Sequence, residues 1–365
     1  MREPRVPEGV LKGIRAPFLE GSPTPIDPPV IQPLAEMLDL SGESKREALF
    51  VVQGDAGAEA CLRPDFTIPV VLEHLAQGGP ARRYYYEGTA FRIPPPGRPA
   101  EFLQIGVEDF TGVTDAAIAG LAWRASLAGG RSDLSIRVGD VGLFRAFLAD
   151  IGTPEAIAAR LRRAFTRPHR LKAELVRAST PNAGAAKIAA ILGGGSLETA
   201  AAALTPRWAK DGLEPVGGRT AQEIAQRLAD LAEESRSPCL APAQRGQIEA
   251  YLAIVGGPDQ VRSAVSALVK GEATDRELND AGSMLNDLGK QGVADERIQF
   301  EARFGGPFTY YDGFVFQITS AALGSERTVA AGGRYDALLS QLSGRKAAAA
   351  GCMVRPYRAW KDAPR

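Results

Sequence analysis

The chain has 365 residues, 45% of them hydrophobic, which supplies a sizeable core and is more than one average domain uses. Lysine plus arginine equals aspartate plus glutamate at 43 each, so the net charge gives no electrostatic case for nucleic acid. The scattered Cys61, Cys239 and Cys352, with His74 and His169 far apart, leave no C-x-x-C pattern, no metal cluster and no nucleophile–histidine pair; they fit a reducing, cytoplasmic setting.

The opening "MREPRVPEGVLKGIRAPF" has no apolar run of signal-peptide length, and no stretch is long and apolar enough to predict a membrane span. After the proline-rich "SPTPIDPP", the apolar spacing of "IQPLAEML" (31–38) predicts a helix. In "ALFVVQGDAGAEACLRP" two apolar runs flank "GDAG", a hairpin pattern. "DFTIPVVLEHLA" predicts a helix with Asp65 as its N-cap. "RRYYYEGTAFRI" and "AEFLQIGVEDFTG" predict strands joined by "PPPGRP", and "DLSIRVGD" (133–140) a further strand.

From 141 to 296 the texture becomes alanine-rich and helical. Thr220 and Glu223 have the spacing of a capping box. Gly193, Gly194 and Gly195, before "SLETAAAAL", fit a helix–helix turn better than an anion loop, because no basic residue stands with them. The basic concentration over 155–177 (Arg160, Arg162, Arg163, Arg167, Arg170, Lys172 and Arg177 against Glu155 and Glu174) reads first as a solvated helix face, with an anionic partner as the alternative. Strands return in "RIQFEARF", "YDGFVFQIT" and "ERTVAAGG", and "YDALLSQL" predicts a helix. The expected organisation is an α/β (α+β) core from 1–140 and 297–365, built on an antiparallel sheet, with a helical insertion over 141–296.

"AGGRYDALL" (331–339) lacks the lysine of a P-loop and the third glycine of a dinucleotide fingerprint. Taken alone it fits a strand-to-helix turn. "LRPDFT" (62–67), "FRIPPPGRPAEFLQIGVE" (91–108), "FTYYDGFVF" (308–316) and "AGGRYDALL", in this order, resemble the catalytic core of a class II aminoacyl-tRNA synthetase, specifically the histidyl enzyme. The resemblance covers roughly 20–140 and 297–358. It implies an antiparallel sheet with flanking helices and a homodimer formed through about residues 26–40. It places the ammonium ligands of a bound histidine on Asp65, Thr67 and Gln104, and a carboxylate partner on Arg92. Glu108 and Tyr311, with Tyr310 beside them, fall where the imidazole is read; the backbone at Gly332 and Gly333 would line the pocket. Such a set suits a free amino acid, which needs acceptors for its ammonium and ring N–H and a donor for its carboxylate.

The resemblance breaks where the synthetase handles ATP. Gly306 stands four residues before Tyr310, where the family carries its catalytic arginine, and glycine cannot stabilise developing charge. Pro94 replaces an ATP-holding glutamate. Arg355 stands at the start of motif 3, in place of the glycine beneath adenine, although Arg358 keeps the motif's arginine. The sequence ends at Arg365, so an anticodon-binding domain is not expected. A kept amino-acid side beside a dismantled ATP side resembles the regulatory subunits of ATP phosphoribosyltransferase. That resemblance implies a non-catalytic, cofactor-free chain within a hetero-oligomer with the short-form catalytic subunit. L-histidine would be its ligand and feedback signal, with neither membrane nor nucleic acid as partner. A divergent histidyl-tRNA synthetase-like ligase, and a binding module for another amino acid, are the alternatives.

Overall fold

The computed structural model describes residues 2–54, 57–180, 239–306 and 308–364, with 201–202, 206, 220–226 and 229. Two compact units emerge, Met1–Asp150 with Ala250–Arg365, and Ile151–Glu249. The helical run 141–296 is therefore divided, its first ten residues and everything from Ala250 grouping with the first unit.

The first unit is built on a sheet of β1 (Thr24–Pro25), β5 (Arg83–Phe91), β6 (Glu101–Asp109), β12 (Ala350–Val354), β11 (Ala330–Arg334), β10 (Phe314–Ser320), β7 (Leu134–Asp140), β9 (Ile298–Glu301) and β8 (Val255–Gly256), in that spatial order. Among these strands every junction is antiparallel except β1–β5 and β7–β9. A second, three-stranded sheet runs β2 (Ile31–Pro33), β4 (Glu59–Leu62), β3 (Val51–Gln53). The hairpin expected over 48–64 forms as β3–β4, although Asp55 and Ala56 of its turn lie outside the described residues.

The helices of this unit are α1 (Glu8–Leu19), α2 (Leu34–Ser41), α3 (Thr67–Ala76), α4 (Asp115–Ala128), α5 (Val141–Asp150), α9 (Pro258–Leu268), α10 (Glu272–Lys290), α11 (Asp336–Ser343) and the short α12 (Pro356–Ala359). Helix α4 is buried on most of its circumference, because Ala116, Ala119, Ala122 and Ala125 let it lie against β11 and β12. The Thr114 hydroxyl caps it by accepting the Ala117 N–H.

The second unit contains α6 (Glu155–Ala164) and α7 (Pro168–Ala178), each burying its apolar stripe, Ile157 and Leu161 on α6 and Leu171 and Leu175 on α7; of α8 (Pro242–Leu252), the residues to Glu249 group with this unit. Much of the basic concentration is paired there: Arg160 and Arg177 with Glu174, and Arg162 with Glu155. The Thr220–Glu223 capping box forms reciprocally, at 2.7 and 3.2 Å. The glycine triplet 193–195 lies outside the described residues.

Three local expectations are corrected. The helix expected from 31 starts at Leu34, because Ile31–Pro33 pair with β4 and Pro33 sits at the N-cap. Phe66, not Asp65, is the N-cap residue of α3. Gly332 and Gly333 are not in a turn. They are interior residues of β11, paired with Phe316 and Val315 on one side and Cys352 and Gly351 on the other. A Cβ on Gly332 would stand 2.3 Å from the Gly351 carbonyl oxygen and 2.8 Å from the Phe316 ring. Gly332→Ala is thus expected to cost about 1–3 kcal/mol of stability, read as a lower denaturant midpoint with unchanged slope. The charged residues of the same stretch are structural: Arg334 bonds Asp115 at 2.7 Å and Asp336 at 3.1 Å, tying β11 to the starts of α4 and α11.

Candidate functional site

A cavity of about 400 Å³ opens on one face of the large sheet. Helix α3 brings Asp65 and Thr67 from its entry, β5 brings Tyr86, β6 brings Gln104, and the loop before β10 brings Gly306, Phe308, Tyr310 and Tyr311. Arg92, just past β5, and Ala331 and Met353 on the central strands also line it. The far end is formed by Arg137, Gln317, Glu326, Thr328, Arg355 and Arg358.

At the near end two buried side chains carry polar atoms without a hydrogen-bond partner. Asp65 is 6% exposed, and its Oδ1 has no hydrogen bond. Burial pushes its carboxyl up from the ordinary range, against the pull of Arg92 and of the Thr67 and Ile68 N–H groups. Arg92 stands 3.8 Å from the other oxygen and donates its Nε–H to the Pro64 carbonyl. Gln104 is 1% exposed, and neither its amide oxygen nor its amide nitrogen finds a partner. Leaving such groups empty costs about 1–3 kcal/mol each, so an acceptor and an amide converging on one cavity point to a polar ligand.

The walls are aromatic. Tyr86 stacks on Phe66 at 4.4 Å, Phe308 on Tyr310 at 5.1 Å, and Tyr310 lies 4.8 Å from Tyr311. Burial raises the Tyr86, Tyr310 and Tyr311 phenols far above their ordinary range, so they stay neutral. Gly306 has φ +74°, and a Cβ there would meet Val315 Cγ2 at 2.6 Å and the Tyr311 ring at 3.1 Å. No side chain fits that position without displacing the wall.

Of the residues expected from the sequence, Asp65, Thr67, Arg92, Gln104, Tyr310 and Tyr311 converge on this cavity. Glu108, Gly332 and Gly333 are not among its lining. Glu108 lies one layer below, 1% exposed, its Oε1 accepting the Thr67 hydroxyl at 2.8 Å and its Oε2 the Tyr335 hydroxyl. Burial raises its carboxyl to about 8 despite those two donors. Gly333 acts indirectly: a Cβ would stand 2.9 Å from Tyr311 Cδ1, so the bare backbone leaves room for that ring. Tyr335 and Tyr86 were missed as site residues. Tyr335 stood inside a quoted motif, and the alternation of β5 puts Tyr84 and Tyr86 on its buried face.

Residues 24–234 and 220–358 match the family model described as Histidyl-tRNA synthetase. A protein of Mesorhizobium japonicum named ATP phosphoribosyltransferase regulatory subunit is 35% identical over 329 residues, covering 87% of each chain. One of the same name from Chelativorans sp. is 33% identical over 340 residues, covering 89% of each. Among solved structures, an ATP phosphoribosyltransferase regulatory subunit/histidyl-tRNA synthetase from Bacillus halodurans superposes with a TM-score of 0.67 at 21% identity, over 100% of this chain and 82% of that one, a likeness of fold.

Proposed function

This chain belongs to the histidyl-tRNA synthetase-like family of ATP phosphoribosyltransferase regulatory subunits, and on that premise we propose that it binds free L-histidine in the cavity and performs no chemistry of its own. The observation that carries the reading is the pair of unpartnered buried groups, Asp65 Oδ1 and the Gln104 amide, beside Thr67. An ammonium group satisfies Asp65 and the Gln104 oxygen together. Arg92, a third exposed at the rim, meets the carboxylate. The imidazole lies among Tyr86, Tyr310 and Tyr311, and its ring N–H takes over Glu108 Oε1 from the Thr67 hydroxyl. Gly333 contributes by admitting the Tyr311 ring, and Gly332 by admitting Phe316 behind it.

The same reading makes the chain catalytically silent. Gly306 has no side chain to stabilise an adenylate, and Arg355 lies over the Phe102 ring, 3.7 Å from its centroid, closing that aromatic face to a base. The work of the chain is then cytoplasmic and relayed. It assembles with a short catalytic subunit that joins ATP to phosphoribosyl pyrophosphate, the first step of histidine biosynthesis, supports that activity, and lets histidine inhibit it. A homodimer inside this hetero-oligomer suits Val30, Ile31 and Val51, large apolar side chains exposed by 41–59% around the small sheet.

Calorimetry should show histidine binding to the purified chain, with no histidine-dependent pyrophosphate exchange. Mixing it with a short catalytic subunit should raise phosphoribosyl-ATP formation and make it histidine-sensitive. Histidine must therefore bind the inhibited form of the complex more tightly than the active one. Robust exchange, or a partner whose rate and histidine response ignore this chain, overturns the reading.

A further inference from the structure

The far end of the cavity contains an ion cluster that the histidine reading leaves unused. Glu3, 9% exposed, is brought there because its N–H donates to the Glu101 carbonyl at 2.9 Å, next to a bridge between Arg2 and Glu101. Its carboxylate accepts from Arg355 at 2.9 Å and lies 4.0 Å from the Arg358 Nε. Both arginines line the cavity and are nine-tenths buried.

The cluster is unbalanced. Arg92 repels both guanidinium groups, Arg98 and Arg327 add to the repulsion at Arg358, and Glu3 is the acidic group that acts on both. Burial lowers both arginines, Arg358 to about 10. The Nε–H groups of Arg355 and Arg358 and Glu3 Oε2 have no hydrogen-bond partner. A buried guanidinium without a counter-charge is strongly destabilising, so this wall holds an anion of its own or recruits one.

We infer that Glu3 is a built-in counter-anion that holds Arg355 and Arg358 in the cavity wall and so excludes phosphate-bearing molecules from its far end. The inference rests on the reading that only the near end takes a ligand. An attached carboxylate competes at the high effective concentration of an intramolecular group, which a free anion at cellular levels does not match. Selectivity for a free amino acid over a nucleotide then comes from Glu3 as well as from Gly306 and Phe102. Glu3 touches no ligand, and is a specificity-determining residue acting through the two arginines.

The test compares inorganic pyrophosphate binding, by calorimetry at fixed ionic strength, to the full chain, to Glu3→Gln and to Glu3→Gln with Arg358→Met. Glutamine keeps the shape and removes the charge. Glu3→Gln should bind pyrophosphate at least about tenfold more tightly than the parent, the scale of one charge-assisted contact, and Arg358→Met should remove the gain. Equal binding by parent and Glu3→Gln, or a gain that survives Arg358→Met, overturns the inference. Should Glu3→Gln fold poorly, pyrophosphate must restore its melting transition where chloride of equal ionic strength does not; no restoration also overturns it. Histidine binding, measured on the same samples, should be unchanged by Glu3→Gln. A parent chain that binds no histidine sinks the proposed function and leaves the pyrophosphate comparison standing.

Discussion

Asp65→Asn is expected to lower histidine affinity on the order of 100-fold while leaving the fold as stable as the parent or more so. The two effects have opposite signs because the carboxylate serves the ligand at the expense of the apo protein. Its Oδ1 is buried without a partner, and burial raises its carboxyl above the ordinary value. An acid raised in the folded state contributes stability below its unfolded value and loses it as pH rises through the folded one. As pH rises Asp65 therefore becomes a cost that the amide removes. The lost attraction to Arg92 is small, since the two stand 3.8 Å apart and Arg92 is a third exposed. The sharper readout is selectivity. The parent should prefer histidine strongly over imidazolepropionate, which lacks the ammonium, and Asp65→Asn should bind the two nearly alike. Calorimetry with both ligands, beside denaturant melts, checks this; unchanged preference in the variant would remove Asp65 from the site.

Where a local pattern coincided with the fold, the sequence was legible. Strands β5 and β6 show the aromatic and branched residues of strands, and the β3–β4 hairpin has its turn signal between its apolar runs. Strand β12 was not legible, because "AGCMV" has little strand propensity and is extended only because β6 and β11 pair with it on both sides. The glycines of β11 misled for a related reason. Glycine after an apolar run signals a turn locally, whereas here close approach of Gly351, Phe316 and Tyr311 requires it. Six of the expected site residues converge because they came from a motif resemblance, and motifs preserve which side chains face a cavity. Glu108, expected from the same resemblance, lies behind Thr67 and Tyr335 and not in the cavity lining, a depth that a motif does not specify. Glu3 was invisible, because nothing local ties residue 3 to residue 355.

Glu108→Gln is expected to flatten the alkaline limb of the stability profile and to weaken histidine binding by about 10- to 150-fold. The Glu108 carboxyl is raised from 4.5 to about 8, chiefly by burial, with Asp65 adding repulsion and the Tyr335, Thr67 and Tyr86 hydroxyls opposing it. The folded state thus holds a proton that the unfolded chain releases near its ordinary carboxyl value. Stability from this group is complete below that value, falls as pH rises, and is exhausted above about 8, a loss on the order of 5 kcal/mol. Glutamine cannot ionise, so the variant should overtake the parent in stability as pH rises from 5 to 9. Its amide oxygen can accept one of the Thr67 and Tyr335 hydroxyls while its NH2 donates to the oxygen of the other, which preserves the layer beneath the cavity. Histidine, in contrast, loses the negative charge that its ring N–H would approach where the parent carboxyl is ionised, above about pH 8. Asp65 titrates in both proteins and repels Glu108, so the difference between the two profiles reports Glu108 together with its coupling to Asp65. Parallel stability profiles for parent and variant would mean that Glu108 is already ionised in the fold, and histidine binding equal to the parent's would make it a structural residue with no part in reading the imidazole.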